Sequence, residues 1–225
     1  MFQKTIIIVA GGQGNRMESE TPKQFLILSG KPILVHTINQ FIAYDSSIQI
    51  ILVLPESHIH LWEEIAMEHK VNHAVDVVSG GETRYESVQN GMKLVNTDKN
   101  VQVVGIHDGV RPLVSLSTIS TCFEHAFQTG NAIPHLPIEE TLRKITPNTS
   151  EWVNRDEYVS IQTPQCFKTE VLQNAYAQNY NPSFTDDASV VESTGQKMNL
   201  VLGNRENIKL TRREDLLLAE KLMAH

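Results

Sequence analysis

The chain has 225 residues, 40% of them apolar and 20% charged, which is ordinary globular composition with room for one large α/β domain. Its 26 acidic against 19 basic side chains leave a net charge of −7, which argues against a nucleic-acid or anionic-membrane surface, since both ask for a basic face. Cys122 and Cys166 stand in no metal-ligand spacing and read as free thiols. Without a signal peptide or an apolar run near the ~20 residues of a membrane helix, a soluble, cytoplasmic protein is expected.

The β-branched run at 5–10 predicts a central strand buried on both faces. A loop of Gly11, Gly12, Gln13, Gly14, Asn15 and Arg16 follows it. Residues 32–44 predict a helix, with Ile33, Leu34, Thr37, Ile38 and Phe41 on one stripe and Pro32 in its first turn. Strands at 48–54 and 75–78 flank a helix at 58–70, and the second strand leads into Ser79, Gly80 and Gly81. A helix at 84–95 precedes a fourth strand at 101–106, which ends at His107 and Asp108. Beyond lie a helix at 117–129, a strand at 132–136, helices at 169–178 and 187–193, a strand at 198–202 and a closing helix at 213–223. This alternation predicts a Rossmann-like, mostly parallel sheet with helices on both faces, in a single domain over 1–225. Residues 138–158 break the pattern. They alternate polar with apolar residues around Pro147, Asn148, Thr149 and Ser150, and predict a projecting hairpin with little core. An isolated hairpin is marginal in water, so it either packs on a second subunit or is a surface excursion.

Ligands of open parallel sheets collect at the carboxyl ends of the strands. There the sequence puts Gly11, Gly12, Gly14, Arg16 and Lys23 after the first strand, and Gly80, Gly81, Glu82, Arg84 and Ser87 after the third. Asp108 and Arg111 follow the fourth, and Lys209 comes near the end. A glycine-lined basic rim with a carboxylate, on an acidic protein, suits a polyanion with a cation. The first loop is no dinucleotide fingerprint, because Met17 stands where a third glycine belongs, and no P-loop triplet occurs. It offers backbone amides that phosphate oxygens can approach closely, or simply a tight turn with solvated cations. Asp108 reads either as a Mg²⁺ ligand or as a turn-capping carboxylate. Residues 79–87 suit contact with a base, and Thr83 with Glu86 also forms a capping pair. His69 with His73, and His58 with His60, lack the partners of a metal site.

These motifs resemble those of the 2-C-methyl-D-erythritol 4-phosphate cytidylyltransferase family, in order and over nearly the whole chain. They comprise Ala10 to Met17, Pro22 to Phe25, Gly80 and Gly81 with Arg84 and Ser87, and His107 and Asp108 with Arg111 and Pro112. Glu140 and Thr141, Arg155, Thr163 to Gln165, Thr185 to Ser189, and Asn207 to Lys209 with Thr211 follow. The resemblance implies CTP and a small polyol phosphate as substrates. Ala10, Gly81, Glu82 and Ser87 would frame cytosine, Asp108 would meet ribose and Mg²⁺, and Gly12, Arg16, Lys23 and Lys209 would grip the triphosphate. Arg111, Thr185 and Lys209 would meet the acceptor phosphate with Thr141 and Arg155 from the other subunit of a homodimer. Gly11 replaces a frequent alanine, and Glu82 stands where the family often has aspartate. Ribitol-5-phosphate cytidylyltransferases share most of these motifs, but Thr185, Asp186, Asp187, Ala188 and Ser189 lean toward the methylerythritol enzymes. Two readings from other classes, a nicotinamide-dependent oxidoreductase and a silent nucleotide-sensing module, account for the glycines but not for Asp108 among three cations.

Overall fold

A computed structural model describes residues 2–12, 21–71, 73–96 and 102–224; the expected site residues Gly14 and Arg16 lie outside the described residues. Strand β1 (Gln3–Val9) is followed by a small ribbon, β2 (Ile27–Leu28) and β3 (Lys31–Pro32), which leads into α1 (Ile33–Tyr44). Then come β4 (Gln49–Leu54), α2 (Ile59–Glu68), β5 (Val75–Ser79), α3 (Arg84–Met92), β6 (Gln102–Asp108) and α4 (Leu116–Thr129). The second half holds β7 (Asn131–Pro137), β8 (Arg143–Ile145), β9 (Ser150–Trp152), β10 (Val159–Ile161) and β11 (Gln165–Lys168). It closes with α5 (Thr169–Tyr176), α6 (Asp187–Glu192), β12 (Leu200–Leu202) and α7 (Arg213–Met223). No helix among the described residues is long and apolar enough to cross a membrane.

The main sheet runs β10-β7-β11-β6-β1-β4-β5, with β12 also on β7. Strands β6, β1, β4 and β5 are mutually parallel, as the alternation predicts. The departure is β11, which sits antiparallel between β6 and β7, and β10, antiparallel on β7. Neither strand is expected from the sequence, because three or four residues are too few to display a period. Successive side chains of β1 go to opposite faces. Ile6 and Ile8 pack with Leu34, Ile38 and Phe41 of α1 and Phe123 of α4. Ile7 joins Val88 of α3, Leu172 of α5 and Val191 of α6 on the other face. Each such fully buried side chain contributes ~1.5–3 kcal/mol.

Three short backbone bonds carry the sheet one residue past its strands. Ala10 N–H donates to the Val53 carbonyl at 2.9 Å, Gly80 to Leu54 at 2.8 Å, and Gly109 to Val9 at 2.9 Å. The loops after β1, β5 and β6 therefore leave one edge together. Helix α3 starts at the expected capping pair, Thr83 and Glu86, each side chain accepting from the other's backbone N–H. Helix α4 stops at Gly130, whose φ of +102° would strain any residue with a Cβ. The predicted hairpin is formed by β8 and β9, with Arg143 opposite Trp152. It has no core of its own: Ile145 is 81% and Trp152 68% exposed.

Candidate active site

A cleft of about 590 Å³ opens where β6, β1, β4 and β5 end. Ala10, Gly11 and Gly12 enter it after β1, Gly80, Gly81, Glu82 and Ser87 after β5, and Asp108 after β6. Lys23 and Lys209 reach the same cleft from distant parts of the chain. A Cβ on Gly12 would stand 3.2 Å from the Lys23 ammonium, so that loop and that cation are in contact. Lys23 itself rides on a single helical turn, Lys23–Phe25, behind Pro22.

The charged centre is built on Asp108. Its Oδ2 accepts from Arg111 Nε at 3.0 Å and stands 3.1 Å from Lys209 Nζ. Burial by itself would raise this carboxyl, but Lys209, Arg84 and Arg111 outweigh it and hold the group well below the usual carboxylate range. It is therefore an anion at any physiological pH. Next to it, burial pushes the His107 imidazole down to about 4, against the opposing hydrogen bond to the Arg111 carbonyl. The ring is neutral, and Nε2 faces that carbonyl at 3.1 Å, so Nε2 carries the proton. Nδ1 then accepts from the Thr163 hydroxyl at 3.0 Å. His107 is thus a fixed prop beneath the 108–111 turn.

On the β5 side, glycine is required for packing. A Cβ on Gly81 would lie 2.3 Å from Glu86 Cβ, so no side chain fits where this loop crosses the start of α3. Ser87 is buried; its Oγ accepts from Gly81 N–H at 3.1 Å and donates to the Thr83 carbonyl at 2.9 Å. It braces the loop from below, while Glu82 is exposed on the rim. Arg84 turns away from the rim to form a two-pronged pair with Asp187, at 2.7 and 2.6 Å. Tyr176 donates to the same carboxylate at 2.7 Å.

Other expected site residues lie outside the cleft wall. Arg111 is behind Asp108, with Nη1 donating to the Asn207 carbonyl at 2.8 Å. Thr185 is exposed just before α6, with its N–H on Ser189 Oγ at 3.1 Å. Thr141 and Arg155 belong to the hairpin segment and are exposed; Arg155 Nη1 donates to the Glu139 carbonyl. Four wall residues were not anticipated: Pro55, Ser57 and His58 after β4, and Gln24 beside Lys23. His58 Nδ1 lies 3.2 Å from Gln24 Nε2. The signal existed, since Pro55 ends a parallel strand at the same edge, but strand-end reasoning was applied only to the first, third and fourth strands.

Residues 4–225 match the family described as 2-C-methyl-D-erythritol 4-phosphate cytidylyltransferase (IspD). The chain is 48% identical over 222 residues to the enzyme of that name from Bacteroides thetaiotaomicron, covering 99% of this chain and 100% of that one. It is 49% identical over 220 residues to the Bacteroides fragilis enzyme of the same name, covering 98% and 99%. The crystal structure of the Francisella tularensis cytidylyltransferase superposes with a TM-score of 0.81 at 30% identity, over 97% of this chain and 99% of that one. A 4-diphosphocytidyl-2C-methyl-D-erythritol synthase structure from Anaerococcus prevotii gives 0.83 at 25% identity, over 100% and 97%.

Proposed function

The chain belongs to the 2-C-methyl-D-erythritol 4-phosphate cytidylyltransferase family, and on that premise we propose how its residues share the reaction. The activity is cytidylyl transfer: CMP passes from CTP to 2-C-methyl-D-erythritol 4-phosphate in non-mevalonate isoprenoid synthesis, and pyrophosphate leaves. The family match and the Bacteroides relatives favour this acceptor over ribitol 5-phosphate.

The nucleotide lies across the strand-end cleft, with cytosine framed by Ala10, Gly81, Glu82 and Ser87. Cytosine's exocyclic amine is a donor, which a carboxylate or carbonyl satisfies and which uracil lacks. Gly11, Gly12, Gly14, Arg16, Lys23 and Lys209 take the triphosphate. Arg111, Thr185 and Lys209 hold the acceptor phosphate. Thr141 and Arg155 reach it from the second subunit of a homodimer, which also covers the exposed Ile145 and Trp152. Two buried free cysteines suit a reducing compartment such as the cytoplasm.

The acceptor's phosphate oxygen attacks the α-phosphorus of CTP in line. Both reactants are anions, so positioning and charge neutralisation dominate, and no general base is needed for a phosphate already largely ionised. Lys23, Lys209 and Arg16 stabilise the charge that builds on the five-coordinate phosphorus and the leaving pyrophosphate. The donor set suits Mg²⁺. Asp108 is a permanently charged oxygen donor, and no group of three His, Cys, Asp or Glu among the described residues forms a protein cage. That matches an ion which takes one or two carboxylates together with substrate phosphates. Asp108 would hold it, and when bound it supplies charge neutralisation to those phosphates.

One observation carries this reading: Lys23, Asp108 and Lys209, remote in sequence, line one cleft. Pyrophosphate release with CTP should be fast for 2-C-methyl-D-erythritol 4-phosphate and slow for ribitol 5-phosphate. Equal rates for the two acceptors would overturn the acceptor choice, and equal rates for UTP and CTP the base contacts.

A further inference from the structure

The motifs around Thr163 and Asn207 have no substrate role above, yet they meet directly behind Asp108. Asn207 is fully buried. Its Nδ2 donates to the Thr163 carbonyl at 2.8 Å and to Gln162 Oε1 at 3.3 Å. Gln162 Nε2 donates in turn to the carbonyls of Asn204 at 2.9 Å and Asn207 at 3.3 Å. Each amide nitrogen thus faces only acceptors, which settles the orientation of both side chains. Thr163 closes the ring, its Oγ1 accepting from Asp108 N–H at 3.1 Å.

Lys209 sits on a segment with no helix or strand, so its placement depends on the flanking anchors. One is Leu210 N–H on the Val110 carbonyl at 2.9 Å, and the other is Asn207. The Asn207 carbonyl also receives Arg111 Nη1 at 2.8 Å. We propose that Asn207 is a positioning residue for cytidylyl transfer: its buried amide clamps the Lys209 loop to the 162–163 turn, and its carbonyl aims Arg111. One side chain then sets the distance of both cations from Asp108. This rests on the roles given to Lys209 and Arg111 above.

The test is steady-state kinetics of Asn207→Ala, alone and combined with Lys209→Ala or Arg111→Ala. The single variant should lose ~10²-fold in kcat and gain about tenfold in KM for the acceptor, the scale of effect expected from misplacing reacting groups by about 1 Å. Loss of folded enzyme lowers kcat but leaves KM alone, so an unchanged acceptor KM overturns the proposal. In the double variants the effects should fall short of their product by at least about tenfold, whereas independent sites multiply. Products that multiply within about twofold in both backgrounds overturn it too. Should Asn207→Ala not fold, Asn207→Asp keeps the volume while turning the donor into an acceptor, and the same KM and cycle criteria apply. Wild-type turnover in Lys209→Ala and Arg111→Ala would sink the underlying roles instead, which is a distinguishable outcome.

Discussion

Asp108 keeps its charge where burial opposes it, because Lys209 and Arg111 both hold its Oδ2. An anion held this way sits ready for a cation, and the cations around it sit ready for phosphates. Lys23 has a simpler task, standing against Gly12 where leaving-group charge develops. Lys23→Ala should therefore lower kcat by on the order of 10²–10³, as loss of a preorganised charge-stabilising donor does, while KM for CTP moves little. Stopped-time pyrophosphate assays measure both, and a variant with wild-type turnover would remove Lys23 from the reaction. At this scale the sequence read well. Lys23, Lys209, Asp108 and the glycines are legible because strand ends of a parallel sheet announce themselves through β-branched runs. Arg84 was less legible: a basic residue beside a glycine pair looks like a phosphate ligand, and only the fold reveals Asp187 across from it.

Among the elements, the ribbon of β8 and β9 stands apart. Three residues a strand, with every residue of β8 exposed, cannot hold themselves together in water. The apolar Ile145 and Trp152 supply the surface that a second copy would cover. Trp152→Arg should weaken self-association by at least tenfold, on the scale of a charge forced into an interface centre. Activity should fall in step, since Thr141 and Arg155 lie on the same segment. Sedimentation velocity against activity over a dilution series checks both, and a variant that is monomeric yet fully active would separate the hairpin from the site. The ribbon was readable from alternating polarity around a turn cluster. Strands β10 and β11 were not, because their partners β6 and β7 lie far away in sequence and decide their conformation.

Across the molecule, the two halves are locked by Arg84 and Asp187, 103 residues apart in the chain. Asp187 has no exposed side-chain surface, and burial would lower the Arg84 guanidinium had Asp187 not raised it above its ordinary value. Arg84→Met strands a buried carboxylate, which should destabilise the fold by ~3–5 kcal/mol. Urea denaturation read at the midpoint shows the change, and a shift under about 1 kcal/mol would mean the pair is no more than a surface bridge.

Strand and helix periods, strand-end glycines and the ordered motifs determined the α/β class, the edge that carries the site and the kind of ligand it takes, because those signals are local. What the tertiary structure alone decided was partnership: which cation faces which carboxylate, that Ser87 braces its loop, that Asn207 stands behind Arg111, and that β11 enters antiparallel. Such contacts join segments tens to more than a hundred residues apart. A side chain's own neighbours in sequence carry no record of what folding brings against it.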